Sequence, residues 1–354
     1  MRIGVDARKI ADFGIGTYIR GLLGALLQRG DRGDRYVAFG PASIGSQLPE
    51  GVEHIAVDAP HYSVRELFAV GRAADRANLD VFHAPHYVVP FTKMPVVVTV
   101  HDLIHLHQPL RNPLAPLYAR AMLARAVTKA RRILTVSETV KRELIAELRV
   151  DAQKIVVTPN GVDAVFRRGN DGTNRTNRTY RTGGTKAEPT YFLYCGNDKS
   201  HKNLPVLIDA FARVRRELPR VSLVLTGAAF ERYHAVEGVI APGFVAVEEL
   251  AALYREALAV VVPSLEEGFG LPAAEAMACG APVITSDAAA LVELTGDAAL
   301  HVEARSAEGF AEAMRRVARD ANLRAELASR GVERAARFTW TRCAELTRAA
   351  YGAR

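Results

Sequence analysis

Over residues 258–280 the chain passes from an unbroken apolar run, L-A-V-V-V-P, into S-L-E-E-G-F-G-L-P-A-A-E-A-M-A-C-G. A short apolar run of this kind reads as a strand buried on both faces, the mark of a parallel sheet. Pro272 suits the first position of a helix, and Gly280 suits its C-terminal cap. Residues 266–271 therefore form a glycine-bearing loop between a strand end and a helix start, where open α/β sheets bind ligands. Unbonded N–H groups and the helix dipole favour an anionic group there, such as a phosphate.

A carboxylate beside a phosphate is repelled, so Glu267 and Glu275 need a different partner. An ionised carboxylate only accepts hydrogen bonds and has two oxygens, which suits vicinal hydroxyls on a ribose or hexose. With one carboxylate in the loop and one a turn into the helix, the pair suits the two sugar ends of a nucleotide-sugar. Its diphosphate would lie over Phe269, Gly270 and Leu271. The plainer readings are a dipole-balancing acid in the first helical turn for Glu275 and a solvated loop charge for Glu267.

The spacing decides between them. Glu267 and Glu275 stand in E-G-F-G-L-P-x-x-E-A-M-A-x-G-x-P-V-I, which closely resembles the donor-site motif of family 4 retaining glycosyltransferases. The resemblance implies an α/β chain of the GT-B fold: two Rossmann-like doubly wound domains facing a central cleft. The nucleotide-sugar would be held mainly by the C-terminal one.

At 354 residues the chain suits two domains. We expect an N-terminal acceptor domain over 1–166, a flexible linker over 167–189 and a donor domain over 190–339. A last helix over about 340–354 would pack back on the first domain, as is usual in this fold. The linker is polar and repetitive (R-R-G-N-D-G-T-N-R-T-N-R-T) and cannot bury a core. Cys195, Cys279 and Cys343 are odd in number and far apart, which argues for a reducing compartment. With no signal peptide and no span of apolar residues, the expected location is cytoplasmic, including the inner face of the membrane. The net charge of +7 is uneven: residues 1–168 carry 23 Lys+Arg against 16 Asp+Glu, and the remainder is balanced. A basic first half suits an anionic lipid surface, a phosphate-bearing acceptor or nucleic acid, or is merely solvated.

In chain order, residues 2–7 read as a strand followed by D-F-G-I-G-T-Y-I-R-G. Gly14 and Gly16 come too late for a dehydrogenase fingerprint, whose third glycine position holds Ile19. In the resembling family a glycine-rich loop here approaches the donor phosphates, a role that passes to Gly14 and Gly16. The alternation of strands and helices that follows is the βαβ pattern. The run V-V-V-T-V-H ends in His101 and Asp102 at a strand's C-terminal edge. The family places a histidine there beside the transferred sugar, and Asp102 becomes its orienting partner or an acceptor contact. His83, His86, His101, His105 and His107 lack a zinc-site signature and no D-x-D occurs, so no metal is expected. These histidines line an acceptor pocket or are satisfied in loops. Residues 113–132 read as a basic helix, either a membrane-surface face or a solvated one.

In the second half, G-N-D-K-S-H-K-N-L supplies Lys202 and Asn203, matching the family's lysine-asparagine. The lysine there grips the donor diphosphate, because a departing diphosphate needs a cation. Many relatives add an arginine; here Asn197 and His201 stand instead. Gly243-Phe244-Val245 resembles the turn whose backbone reads the base, which adds Val245 to the donor contacts.

The resemblance thus implies a metal-independent retaining hexosyltransferase of polysaccharide biosynthesis, nearest in pattern to bacterial mannosyltransferases. It would use no cofactor beyond a nucleotide-diphosphate sugar, with GDP-mannose the donor expected. Its partners would be that donor, a glycan or lipid-linked acceptor and an anionic membrane, but no nucleic acid. The rivals are a nucleotide-sugar epimerase of the same fold and a non-catalytic nucleotide-sugar binder.

Overall fold

The computed structural model describes residues 1–30, 33–59, 64–107, 115–169 and 191–353. The linker expected over 167–189 lies almost wholly outside them. The chain divides into two compact units, Met1–Gly161 with Thr339–Arg354, and Val162–Phe338. Residues 162–166, read with the first domain from sequence, go with the second unit. There Val162 N–H donates to the Phe338 carbonyl at 3.0 Å, and the Phe166 ring meets Tyr254 edge-on.

Among the described residues, the first unit holds a sheet of seven parallel strands: β1 (Arg2–Asp6), β2 (Arg35–Gly40), β3 (Glu53–Ala56), β4 (Val81–Ala84), β5 (Val96–Val100), β6 (Arg132–Thr135) and β7 (Ile155–Val157). Their order is β3-β2-β1-β4-β5-β6-β7. The second unit has six: β8 (Tyr191–Cys195), β9 (Ser222–Thr226), β10 (Val239–Gly243), β11 (Ala259–Val262), β12 (Val283–Ser286) and β13 (Ala299–Val302), in the order β10-β9-β8-β11-β12-β13. Every pairing is parallel, and each order reverses once, beside β1 and beside β8. The central strands β5, β11 and β12 are buried along their whole length, which is why they read as continuous apolar runs. Reversal points open ligand crevices at strand C-termini, and those ends carry the residues singled out above.

The helix Trp340–Gly352 packs on the helix Ile15–Arg29 within the first unit. Gly21 makes the approach possible, since a Cβ there would lie 2.1 Å from the Trp340 ring. A buried hydrogen-bonded chain joins both helices to the sheet. The Tyr351 hydroxyl lies 2.7 Å from His83 Nδ1, and His83 Nε2 lies 2.8 Å from Thr99 Oγ1. Thr99 in turn meets the Tyr18 hydroxyl at 2.9 Å. Burial drives the His83 pKa down to about 3, so the ring is neutral and each nitrogen needs its own partner.

Local expectations shift by a few residues. The basic helix runs Ala115–Lys129 rather than to 132, because Arg132 already opens β6. Leu271 is the first residue of its helix and Pro272 the second; the helix ends at Ala278, with Gly280 two residues beyond at φ 76°. Ser137 caps the helix Glu138–Leu148 by accepting from Val140 N–H.

Tyr351→Phe leaves His83 Nδ1 buried without its partner and is expected to destabilise the first unit by about 1–3 kcal/mol. Denaturant unfolding followed by a first-unit probe measures this; an unchanged midpoint would show that the chain contributes nothing.

Candidate functional site

Each unit carries one group of polar side chains at the C-terminal edge of its sheet. In the second unit it is built from the ends of β8 and β11. After β8 the backbone turns through Ser200–Lys202 to Asn203, which adopts a left-handed φ of 56° at the start of the helix Leu204–Glu217. The Asn203 amide donates to the carbonyls of Pro263 (3.0 Å) and Ala304 (2.6 Å). Leu265 N–H donates to the His201 carbonyl at 2.7 Å. These bonds lash the lysine turn to the loop after β11, and they bring Lys202 Nζ to 2.6 Å from Glu267 Oε1. The Ser264 hydroxyl donates to that same oxygen at 2.7 Å. Burial alone would raise the Glu267 pKa, but Lys202 and Ser264 hold the carboxyl below its ordinary range, so it is ionised.

Gly270 begins the next helix at φ 99°, and a Cβ there would lie 2.5 Å from Leu291. The positive φ demands glycine, and a Cβ would also have to displace the Leu291 side chain. Among the described residues the backbone N–H groups of Phe269, Gly270 and Leu271 have no hydrogen-bond partner. They are free donors at a helix start, as an anion requires. The Phe269 ring itself is buried and meets Phe338 at 5.5 Å, so only its backbone faces a ligand. Glu275 is the fifth residue of the helix Leu271–Ala278, not part of its first turn, which removes the dipole-balancing reading. It accepts from the Tyr254 hydroxyl at 3.0 Å, and burial raises its pKa to about 8.

The glycines at the ends of β8 to β10 pack on one another. A Cβ on Gly227 (φ 100°) would stand 2.8 Å from the Gly196 carbonyl oxygen, and Gly227 N–H donates to Gly243 O. Val245 follows Gly243, partly buried. Asn197 shapes its loop: its carbonyl accepts from the Tyr194 hydroxyl and its Oδ1 from Lys199 N–H. The structure also brings a cation that the sequence reading passed over, with Arg232 paired to Asp198 in that loop.

In the first unit, Gly14 lies exposed at φ 61°, whereas Gly16 is buried with its Cβ position 2.3 Å from the Ile10 carbonyl oxygen. Packing alone accounts for glycine at 16. His101 Nε2 lies 3.0 Å from the Pro85 carbonyl, and its ring meets Tyr18 edge-on at 4.8 Å. Burial takes its pKa down to about 4. The neutral ring donates through Nε2 and presents Nδ1 as an acceptor. Asp102 accepts from Ile104 N–H and so caps the short helix Ile104–His107.

The other histidines separate. His105 pairs with the Tyr87 hydroxyl and His107 with Glu147. His86 accepts from Val88 N–H through Nδ1, which leaves its Nε2 proton toward Asp6 at 3.2 Å. Asp6 is buried against Arg8, whose other arm reaches Glu66 at 2.5 Å. Among the described residues no three His, Cys, Asp or Glu side chains converge as metal ligands do, and no helix is long and apolar enough to cross a membrane.

Two family profiles match the chain: residues 14–166 that of glycosyltransferase family 4, and residues 177–334 that of the group 1 glycosyl transferases. An O-antigen chain mannosyltransferase B of Escherichia coli is 29% identical over 284 residues, covering 77% of this chain and 74% of that protein. A D-inositol 3-phosphate glycosyltransferase of Stackebrandtia nassauensis is 29% identical over 348 residues, with 92% and 74% covered. Among solved structures, the Anabaena protein HepE in complex with UDP-glucose superposes with a TM-score of 0.75 at 18% identity, over 99% of both chains.

Glu275 is raised in the folded state, so the fold binds more protons than the unfolded chain between pH 4.5 and about 8. Stability is lost as pH rises through that window. Glu275→Gln is expected to stabilise the protein by about 1–3 kcal/mol at pH 8.5 and far less at pH 5. Thermal melts at the two pH values check this; a gain independent of pH would contradict the assignment.

Proposed function

Because the chain belongs to the family 4 and group 1 glycosyltransferases and has the GT-B fold, we propose that it is a retaining, metal-independent mannosyltransferase. It moves mannose from GDP-mannose to a glycan or lipid-linked acceptor in polysaccharide assembly. The observation that carries this reading is the grouping in the second unit of one cation, one ionised carboxylate, free N–H groups at a helix start and a second carboxyl group, that of Glu275, which burial favours in its protonated form. Lys202 and the N–H groups of Phe269, Gly270 and Leu271 receive the diphosphate, Glu275 the ribose and Glu267 the hexose hydroxyls. Val245 lies at the base. Asn203 and Asn197 position this half-site through their own bonds and offer Asn203 Oδ1 and Asn197 Nδ2 to the donor. On the first unit, His101 offers Nδ1 to a sugar hydroxyl, and Gly14 stands in the exposed loop before its helix.

In the reaction the bond between the anomeric carbon and the diphosphate oxygen breaks. The acceptor hydroxyl bonds to the same face, and its proton passes to the leaving phosphate. The charge that develops on that phosphate is offset by Lys202, so no metal is needed at this step. The mannose assignment draws on the E. coli relative, and the UDP-glucose bound by HepE supplies the rival donor.

The enzyme works at the cytoplasmic face of a membrane, where a lipid-linked acceptor resides. One surface of the first unit supports this. Phe68 and Phe91 are 47% and 45% exposed and stack at 4.9 Å, with Arg125 over Phe91 at 4.1 Å. Exposed Lys93 and Lys129 line a hollow with Phe91, Arg125 and Asp75, exposed Arg65 and Arg72 lie one turn to either side of Phe68 on its helix, and Leu117 and Tyr118 lie on the helix that carries Arg125. Aromatic rings near cations suit an anionic headgroup layer.

A thermal-shift panel of GDP, UDP, ADP and dTDP and their sugars, in EDTA, tests the donor. GDP-mannose is expected to raise the melting temperature; a response to UDP-sugars alone would discard mannose. Lys202→Ala is expected to lower kcat by about a hundredfold or more, and a change confined to donor affinity would remove its role in departure. Phe68→Ser with Phe91→Ser is expected to abolish sedimentation with phosphatidylglycerol vesicles while transfer to a soluble acceptor persists. Unchanged sedimentation would move the docking surface elsewhere.

A further inference from the structure

The residues assigned to the donor's diphosphate and to its hexose are bonded to each other. Lys202 Nζ and Glu267 Oε1 are 2.6 Å apart, with side chains only 17% and 10% exposed. The bonds from Asn203 and His201 to the loop after β11 hold the pair in register. A ligand that draws Lys202 away leaves Glu267 as a nearly buried carboxylate with only Ser264 donating to it. Breaking a buried pair in this way is costly, because the remaining charge keeps only Ser264 and the nearby His201 to favour it.

An intact nucleotide-sugar and the bare nucleoside diphosphate impose different costs on this pair. The intact donor takes Lys202 with its phosphates and returns hydroxyl donors to Glu267 from the hexose. The bare diphosphate takes Lys202 and returns nothing. It also carries an additional negative charge, so it competes with Glu267 for the Lys202 ammonium more strongly.

We propose that the Lys202–Glu267 pair is a selectivity device, favouring the intact donor over the spent nucleoside diphosphate and releasing the latter as Glu267 recaptures Lys202. This rests on the donor site assigned above. Specificity here comes from a repulsive element as much as an attractive one. Glu267 acts on the sugar directly and on the diphosphate only through Lys202.

The test is calorimetric titration of wild type, Glu267→Gln and Lys202→Ala with GDP and with GDP-mannose, in EDTA. Should the thermal panel favour another base, its diphosphate and sugar replace these. Glu267→Gln keeps the shape and hydrogen-bonding reach of the side chain but removes its charge. It is expected to bind the bare diphosphate on the order of tenfold tighter than wild type while gaining nothing for the sugar donor. Product inhibition of turnover is expected to deepen in parallel. If Lys202→Ala weakens both ligands but Glu267→Gln binds the diphosphate no more tightly, the device is overturned and the donor site stands. If neither substitution changes either affinity, the donor site itself is overturned. The unmutated protein gives an independent reading, free of any folding defect in the variants. It must bind the intact donor at least as tightly as the diphosphate, and a diphosphate bound on the order of tenfold tighter would overturn the proposal.

Discussion

The contact on which the second unit's site depends is the ion pair between Lys202 and Glu267. It exists because a left-handed Asn203 ties the turn after β8 to the carbonyls at 263 and 304, while the His201 carbonyl holds Leu265. Two loops far apart in sequence are thereby held together. A side chain proposed to meet a diphosphate needs this support, because small misplacements at a reacting centre are expensive. The neighbouring glycines serve the same end. Gly270 holds a φ of 99° that favours glycine, and Gly196 and Gly227 pack backbone to backbone.

The first unit reaches its preorganisation by another route. His101 is neutral and anchored through Nε2, and its ring rests on Tyr18, whose hydroxyl belongs to the buried chain through Thr99, His83 and Tyr351. The helix Trp340–Gly352, last in sequence, thus braces a strand end reached near residue 100. Its Tyr351 hydroxyl is bonded to a histidine that burial keeps uncharged. On the function proposed, a neutral His101 would offer a sugar an acceptor nitrogen rather than a proton, in keeping with a reaction in which the acceptor's proton leaves with the diphosphate.

Much of this was legible in the sequence because local chemistry and fold agree there. The apolar run before Ser264 is a strand buried on both faces, and the glycine loop and the following proline mark a helix start. The interval between Glu267 and Glu275 places one carboxylate in the loop and one in the second helical turn. The partners of those carboxylates were not legible. Tyr254 and Ser264 look ordinary in sequence and acquire their meaning only when separate elements pack. Asn203 fits a ligand-contact motif, yet its amide is spent on two carbonyls. Gly16 reads as part of a phosphate loop, yet the Ile10 carbonyl accounts for it. Arg131 and Arg132 continue the charge pattern of the basic helix in sequence, yet the helix ends at Lys129 and Arg132 belongs to β6.

The most direct measurement is a crystal structure of the protein with GDP bound in the presence of EDTA. The account predicts a diphosphate against Lys202 and the backbone of residues 269–271, with the ribose hydroxyls on Glu275 and the Lys202–Glu267 bond opened. A diphosphate seated away from residues 269–271, or a ribose turned from Glu275, would contradict it.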